Sequence, residues 1–230
     1  LGPNGAGKTS LLSIVSANRH PSAGSADVLG ARLGRVDMRA LRERIAVVDG
    51  PTGARLPRVL PLHDVALTGA TGTVLPRYEK YAAADHERAD AELRVVGLEH
   101  LRDRRFGDCS HGERARALLA RALVQQPDLL LLDEASGGLD LPAREALLAA
   151  VAGACRDRPA LTTVTVTHHV EELPPTTTHA LLLRHGSTVA AGPVTQVLTD
   201  AAMSETFGLP VHVRHDRGRW SATAAGSWRP

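Results

Sequence analysis

Apolar and polar positions along this chain follow two periods in alternation. Ile45-Ala46-Val47-Val48 and Leu129-Leu130-Leu131-Leu132 are continuous apolar runs of the kind a strand covered on both faces needs. A short buried helix could also write the leucine run. Asp133 and Glu134, which end it, favour the strand, because carboxylates at the carboxyl edge of a parallel strand face a ligand crevice. Leu161 to Thr167 reads as a further strand ending at His168, Ala180 to Leu183 and Thr188 to Gly192 as closing strands, and Ala26 to Leu29 as a short early one. Between them the period lengthens to that of helices, over Ser10 to Val15, Arg39 to Arg44, Tyr78 to Val96, Gly112 to Gln125, Pro142 to Cys155 and around Val194 to Leu198. In the helix at Gly112, Leu118, Leu119, Ala122 and Leu123 share one side, Arg114, Arg116 and Arg121 supply charge, and Pro127 closes the run. Strand and helix alternate, which is the α/β pattern. From Asp49 to Leu75 the texture shifts to Gly, Pro and Thr, so residues from roughly 51 to 126 are expected to form an inserted helical subdomain.

Composition narrows the function classes. A net charge of +2 is too small to imply a polyanion, and 3% aromatics leaves few rings to stack on bases, so no nucleic-acid partner is expected. Cys109 and Cys155 are far apart with no metal-ligand spacing, which favours a reducing compartment over a disulfide framework. No apolar stretch approaches the length a bilayer requires and no charged-then-apolar leader is written, so neither a span nor a secretion signal is expected. Among 27 basic residues the only lysines are Lys8 and Lys80, which makes the lysine in the opening segment informative.

That segment carries the chemistry. Gly2-Pro3-Asn4-Gly5-Ala6-Gly7-Lys8-Thr9 fills every fixed position of G-x-x-x-x-G-K-[ST]. Gly2, Gly5 and Gly7 permit a backbone whose N–H groups turn inward around phosphate oxygens; Lys8 meets the outer phosphates, Thr9 offers a hydroxyl to Mg²⁺, and Ser10 leads a helix whose positive end faces the anion. A glycine-rich surface turn is the plainer alternative. Such a loop should follow a buried strand of about five residues. Only Leu1 precedes it, so that strand is expected upstream and the chain as written is read as truncated at its start.

Taken together these segments resemble the ATP-binding cassette (ABC) family of transporter ATPases over nearly the whole chain. GPNGAGKT is similar to its Walker A, LLLLDE to Walker B, GGLD ending at Asp140 to the D-loop, TVTHH to the strand and switch histidine, and Cys109-Ser110-His111-Gly112-Glu113 to the signature normally written L-S-G-G-Q. The resemblance implies a P-loop NTPase (RecA-like) core with a mostly parallel sheet, over residues 1–200, and a tail over 201–230. It assigns Gly2 to Ser10 to ATP, Asp133 to the Mg²⁺ shell, Glu134 to the attacking water and His168 to the γ-phosphate. Ser110, Gly112, Glu113 and Asp140 would reach the nucleotide held by a second cassette, most simply a second copy, in a head-to-tail dimer. It further implies membrane-embedded permease subunits as partners and a place on the cytoplasmic face of the membrane. Met203 to Val211 is similar to the ending of importer-type ATPases.

Departures from the family pattern set further expectations. His111 stands for Gly and Glu113 for Gln, which would disturb the local backbone and put negative charge near phosphate; Ser110 followed three residues later by Glu113 is equally the spacing of a helix capping box. Asp49-Gly50 stands where the family has Gln, so Asp49 is a candidate metal contact, or simply a turn former. Such departures leave two rivals to the transport ATPase: a soluble cassette acting in repair or translation, and a nucleotide-responsive module of weak turnover. Trp220 and Trp228 are expected to cover the core.

Overall fold

A computed structural model describes residues 1–226 of the chain. It divides into two compact units, one made of Leu1–Leu12 with the chain from Thr165 onward, the other of Ser13–Val164. The first helix, α1 (Lys8–Val15), begins in the former and ends in the latter.

In the larger unit, β1 (Asp27–Val28) and β2 (Ala31–Arg32) form a short antiparallel pair. α2 (Met38–Glu43) starts on Asp37, whose carboxylate accepts the N–H groups of Arg39 and Ala40. It leads into β3 (Ile45–Val48), and Asp49 then caps α3 (Gly50–Arg55). α4 (Leu62–Leu67), α5 (Ala83–Val95) and α6 (His111–Val124) pack on one another as the helical part of this unit. β4 (Leu129–Asp133) runs parallel to β3, with Ile45 opposite Leu129 and Val48 opposite Leu132, and its four leucines are buried. α7 (Leu141–Asp157) follows, and β5 (Thr162–Val166) completes the sheet order β3-β4-β5. The expected parallel α/β core is therefore present.

Two details differ from expectation. Tyr78–Lys80 is a separate 3-10 turn, and the helix proper starts at Ala83. Arg121, expected as surface charge, is buried: its guanidinium donates to Thr68 Oγ1 and to the Thr73 carbonyl, each at 3.0 Å. Its burial lowers its pKa, and its hydrogen bonds satisfy the irregular 3-10 segment that α6 covers.

The smaller unit holds two hairpins. β6 (His179–Arg184) pairs with β7 (Ser187–Pro193), and α8 (Val194–Val197) and α9 (Asp200–Phe207) follow. β8 (Val211–Asp216) pairs with β9 (Arg219–Ala224). Leu1 lies along β6 in strand fashion: its nitrogen donates to the Leu181 carbonyl and its carbonyl accepts the Leu183 N–H, at 2.8 and 2.9 Å. Val170, Leu173, Leu182, Val194, Val197, Leu198, Met203 and Val211 form the core here, with Trp220 packed against it as expected. Trp228 lies outside the described residues. Among the described residues no helix is long and apolar enough to cross a membrane.

Candidate functional site

In the smaller unit the glycine-rich loop is folded around the Lys8 side chain. Lys8 is buried, and its Nζ donates to the carbonyls of Gly2 (2.8 Å) and Pro3 (3.1 Å). Gly5 and Gly7 have φ of 78° and 97°. A Cβ on Gly2 would come within 2.2 Å of the Leu183 carbonyl oxygen, so glycine alone fits between the loop and β6. The Gly186 N–H ties the hairpin loop to Ala6 O at 3.1 Å. Asn4, Gly5, Thr9 and Ser10 face solvent at the mouth of the loop. Gly7, ahead of α1, has no side chain with which to cap the helix, so the first-turn N–H groups of α1 suit an anion.

His168 lies in the same unit, half-buried, in a turn after β5. Its ring stands 4.1 Å from that of His169, tilted by 45°. Behind it Thr167, fully buried, accepts the His169 N–H at 2.9 Å and donates to the buried Glu172 carboxylate.

In the larger unit the motif segments sit at element ends. Asp133 closes β4, and Glu134 is exposed with φ of 49°, a left-handed conformation uncommon for a residue bearing a Cβ. The Gly137 N–H closes this turn on Glu134 O. Asp140 caps α7 by accepting the Ala143 N–H at 2.9 Å. Ser110 and Glu113 make a reciprocal capping box on α6: Ser110 Oγ accepts the Glu113 N–H at 3.2 Å and Glu113 Oε2 accepts the Ser110 N–H at 2.7 Å. That backbone hydrogen bond holds the Glu113 carboxyl below the usual glutamate range, and Arg104 stands 3.6 Å away. The negative charge expected of Glu113 is thus turned inward onto its own helix start. α6 begins regularly at His111, so the His-for-Gly departure leaves the helix start undisturbed.

Gly112 owes its identity to packing. A Cβ there would lie 2.4 Å from Ala143 Cβ, so the start of α6 rests directly on the start of α7. His111 approaches Gly138, whose own added Cβ would be 3.5 Å from His111 Cε1. Asp49 uses Oδ1 to accept the Thr52 N–H at 2.7 Å, the cap that its turn-forming reading anticipates. A cavity of about 360 Å³ is lined by Asp49, Arg58, Phe106, His111, Glu134 and Gly137, so three of the motif segments of this unit open onto one space. The Mg²⁺ donor set implied by the motifs is the hydroxyl of Thr9 with the carboxylate of Asp133, hard oxygen ligands that suit Mg²⁺. The residues fit such an ion in kind.

Sequence reading missed Thr167 and Glu172, and the hold of Ala143 on Gly112. A Thr immediately before His168 and a Glu five residues after that Thr is a visible pattern, but only the folded turn brings the two side chains together.

A family model described as ABC transporter matches residues 1–137. The chain belongs to the ABC transporter family. The cassette is 36% identical to an ABC transporter ATP-binding protein of Streptococcus mutans serotype c, covering 93% of this chain and 82% of that one. It is 36% identical to the ABC transporter ATP-binding protein YlmA of Bacillus subtilis, covering 97% and 85%. Against the methionine import ATP-binding protein MetN 2 of Paraburkholderia xenovorans the identity is 33%, over 94% of this chain and 55% of that one. Among solved structures, a metal-chelate type ABC transporter in an inward-facing conformation superposes with a TM-score of 0.77 at 24% identity, covering 100% and 85%. The dimeric post-hydrolysis state of the cassette MJ0796 bound to ADP and Pi gives 0.69 at 22%, covering 84% and 83%. These two likenesses establish the P-loop cassette fold. By family the cassette is an ATP-binding ATPase.

Proposed function

We propose that the cassette is the ATPase subunit of an importer-type transporter, in which ATP draws two copies together and the closure moves membrane-embedded permease subunits. The observation that carries this reading is the glycine-rich loop, already folded, with a buried lysine at its centre and a helix that follows directly on Gly7. The import direction draws on the likeness to a methionine import protein and on the tail from Met203; the pairing draws on the likeness to a dimeric cassette.

In this reading Gly2 to Ser10 wrap the β- and γ-phosphates, with Lys8 exchanging its loop carbonyls for phosphate oxygens. Thr9, Asp133 and, through its second oxygen, Asp49 would hold Mg²⁺, which neutralises charge on the transferring phosphoryl group. Glu134 accepts a proton from the attacking water, and His168 donates to the γ-phosphate. Ser110, Gly112 and the Glu113 N-terminal turn, with Asp140 of the D-loop, close over the nucleotide of the second copy. The site lies on the cytoplasmic face of the membrane.

Steady-state Mg²⁺-dependent ATPase of the complete protein tests this. Glu134→Gln should lower kcat by about a hundred-fold or more, the usual worth of a positioned base, while ATP still binds and drives dimerisation in light scattering. Wild-type turnover no higher than that of Glu134→Gln would replace the engine with a nucleotide-responsive module.

A further inference from the structure

We propose that Thr167 and Glu172 are positioning residues for the switch histidine His168, and that Glu171 couples their turn to the C-terminal hairpin. This rests on the ATPase reading above.

The hydroxyl of Thr167 has one proton. Two acceptors lie near it, the Glu172 carboxylate and the His169 carbonyl at 3.3 Å. The carboxylate is the stronger acceptor, so the proton goes to Glu172 Oε2. Its lone pairs are then turned towards the backbone, where the His169 N–H donates to Thr167 Oγ1 at 2.9 Å. The resulting ring spans residues 167 to 169, and His168 is its middle residue. Thr167 is 0% and Glu172 5% exposed, so water offers neither group a substitute partner. A buried carboxylate thereby fixes a hydroxyl, the hydroxyl fixes a backbone turn, and the turn fixes the Cα from which His168 projects.

The far side of the same segment is held independently. Val170–Glu172 is a 3-10 turn closed by the Glu172 N–H on His169 O at 3.2 Å. Glu171 Oε1 accepts the Ala222 N–H of β9, and Glu171 O accepts from Arg219, both at 2.9 Å. Val170 and Leu173 join the apolar cluster that takes in Val211, Val213, Trp220 and Ala222. Glu172 therefore faces the switch turn while Glu171 faces the hairpin, one residue apart. A displacement of β8–β9 pulls on the segment that holds His168, which makes the hairpin a route by which a contact on the tail alters turnover.

Steady-state ATPase of the complete protein separates positioning from scaffolding. Thr167→Val keeps the shape and removes the hydroxyl; it should lower kcat by about ten- to a hundred-fold, the usual cost of a misplaced catalytic group, with KM for ATP within about two-fold because the loop still holds the nucleotide. Thr167→Ser should restore kcat. In a His168→Ala background, Thr167→Val should add less than about two-fold, since both act through one group. Glu171→Ala should lower kcat about three-fold and Glu171→Gln, which keeps the acceptor, should not. Should Thr167→Val fold poorly, Thr167→Ala measured alone and in the His168→Ala background decides the positioning role by the same outcomes, and wild-type kcat in Glu171→Ala overturns the coupling to the hairpin. Wild-type kcat in Thr167→Val, or an undiminished further loss in the His168→Ala background, overturns the positioning role while leaving that of His168 intact. Unchanged turnover in His168→Ala itself overturns both.

Discussion

Two helix starts in this molecule solve the same physical problem in opposite ways. The first N–H groups of any α-helix have no partner within it. At α6 the chain supplies part of its own: Ser110 and Glu113 exchange hydrogen bonds, so two of the N–H groups at this start are satisfied without a ligand. At α1 the preceding residue is glycine, and the side chain of Lys8, the helix's first residue, turns to the carbonyls of Gly2 and Pro3. One start is capped by its own side chains and the other has a glycine in the place of a cap. Both depend on a glycine in a space too small for a methyl group, but the obstacle differs. At Gly2 it is the backbone oxygen of Leu183; at Gly112 it is the side-chain methyl of Ala143.

That difference gives the largest expected effects. Gly2→Ala places a carbon 2.2 Å from a main-chain carbonyl that β6 holds in place, so the loop or the strand must move. A loss of about 3 kcal/mol is expected, at the upper end of overpacking, read as a fall in the denaturant midpoint with nucleotide binding abolished. No side-chain substitution elsewhere should repair it. Gly112→Ala meets another methyl at 2.4 Å and should cost about 1–2 kcal/mol. Here repair is possible: Ala143→Gly removes the obstructing atom, and the double variant should recover most of the loss, because the alanine gained in α6 offsets the helix penalty of the glycine placed in α7, about 1 kcal/mol each. Equal losses that add in the double variant would mean that the two helices do not meet as described.

The next effect tests the cap itself. Ser110→Ala removes the acceptor for the Glu113 N–H and should cost about 1 kcal/mol, the usual worth of a serine cap, seen in thermal melts without nucleotide. If the stability were unchanged, the cap would contribute nothing to the start of α6, and the contrast with α1 would dissolve.

The two starts were also unequally legible in the sequence. The glycine-rich loop was legible as a loop because its backbone geometry dictates residue types at fixed spacings, and the neighbouring β6 contact only adds a reason for Gly2. The capping box was visible as Ser110 and Glu113, but that Gly112 faces Ala143 was not, since those residues are joined only by the crossing of α6 and α7. α4 was hidden in the Gly-, Pro- and Thr-rich stretch because five of its six residues, Leu62, His63, Val65, Ala66 and Leu67, are buried, leaving no exposed stripe to set a period. The β8–β9 hairpin turns on Arg217-Gly218, both left-handed with φ of 48° and 75°. That geometry suits a two-residue hairpin turn, but arginine is not among the residues that announce it. Arg121 was misread for a related reason: its partners, Thr68 and Thr73, lie about fifty positions away on a segment without regular pattern.

The smallest effect separates charge from geometry at the capped start. Glu113→Gln restores the residue the family pattern has and keeps an oxygen to accept the Ser110 N–H, so the box should survive. What is lost is ionisation. The Ser110 hydrogen bond depresses the Glu113 pKa in the folded protein, so the unfolded chain binds its proton first as pH falls. The stability it lends is therefore present above the ordinary glutamate value of about 4.3 and lost as pH falls through the lower folded one. Melting temperatures of wild type and Glu113→Gln should differ slightly at pH 7, by the few tenths of a kcal/mol expected of a helix-start charge, and converge below pH 4. A gap that stayed constant across that range would assign the effect to shape rather than charge. If Glu113→Gln also raised turnover, the carboxylate would be acting on nucleotide phosphate beyond its own helix, and α6 would resemble α1 more than its cap suggests.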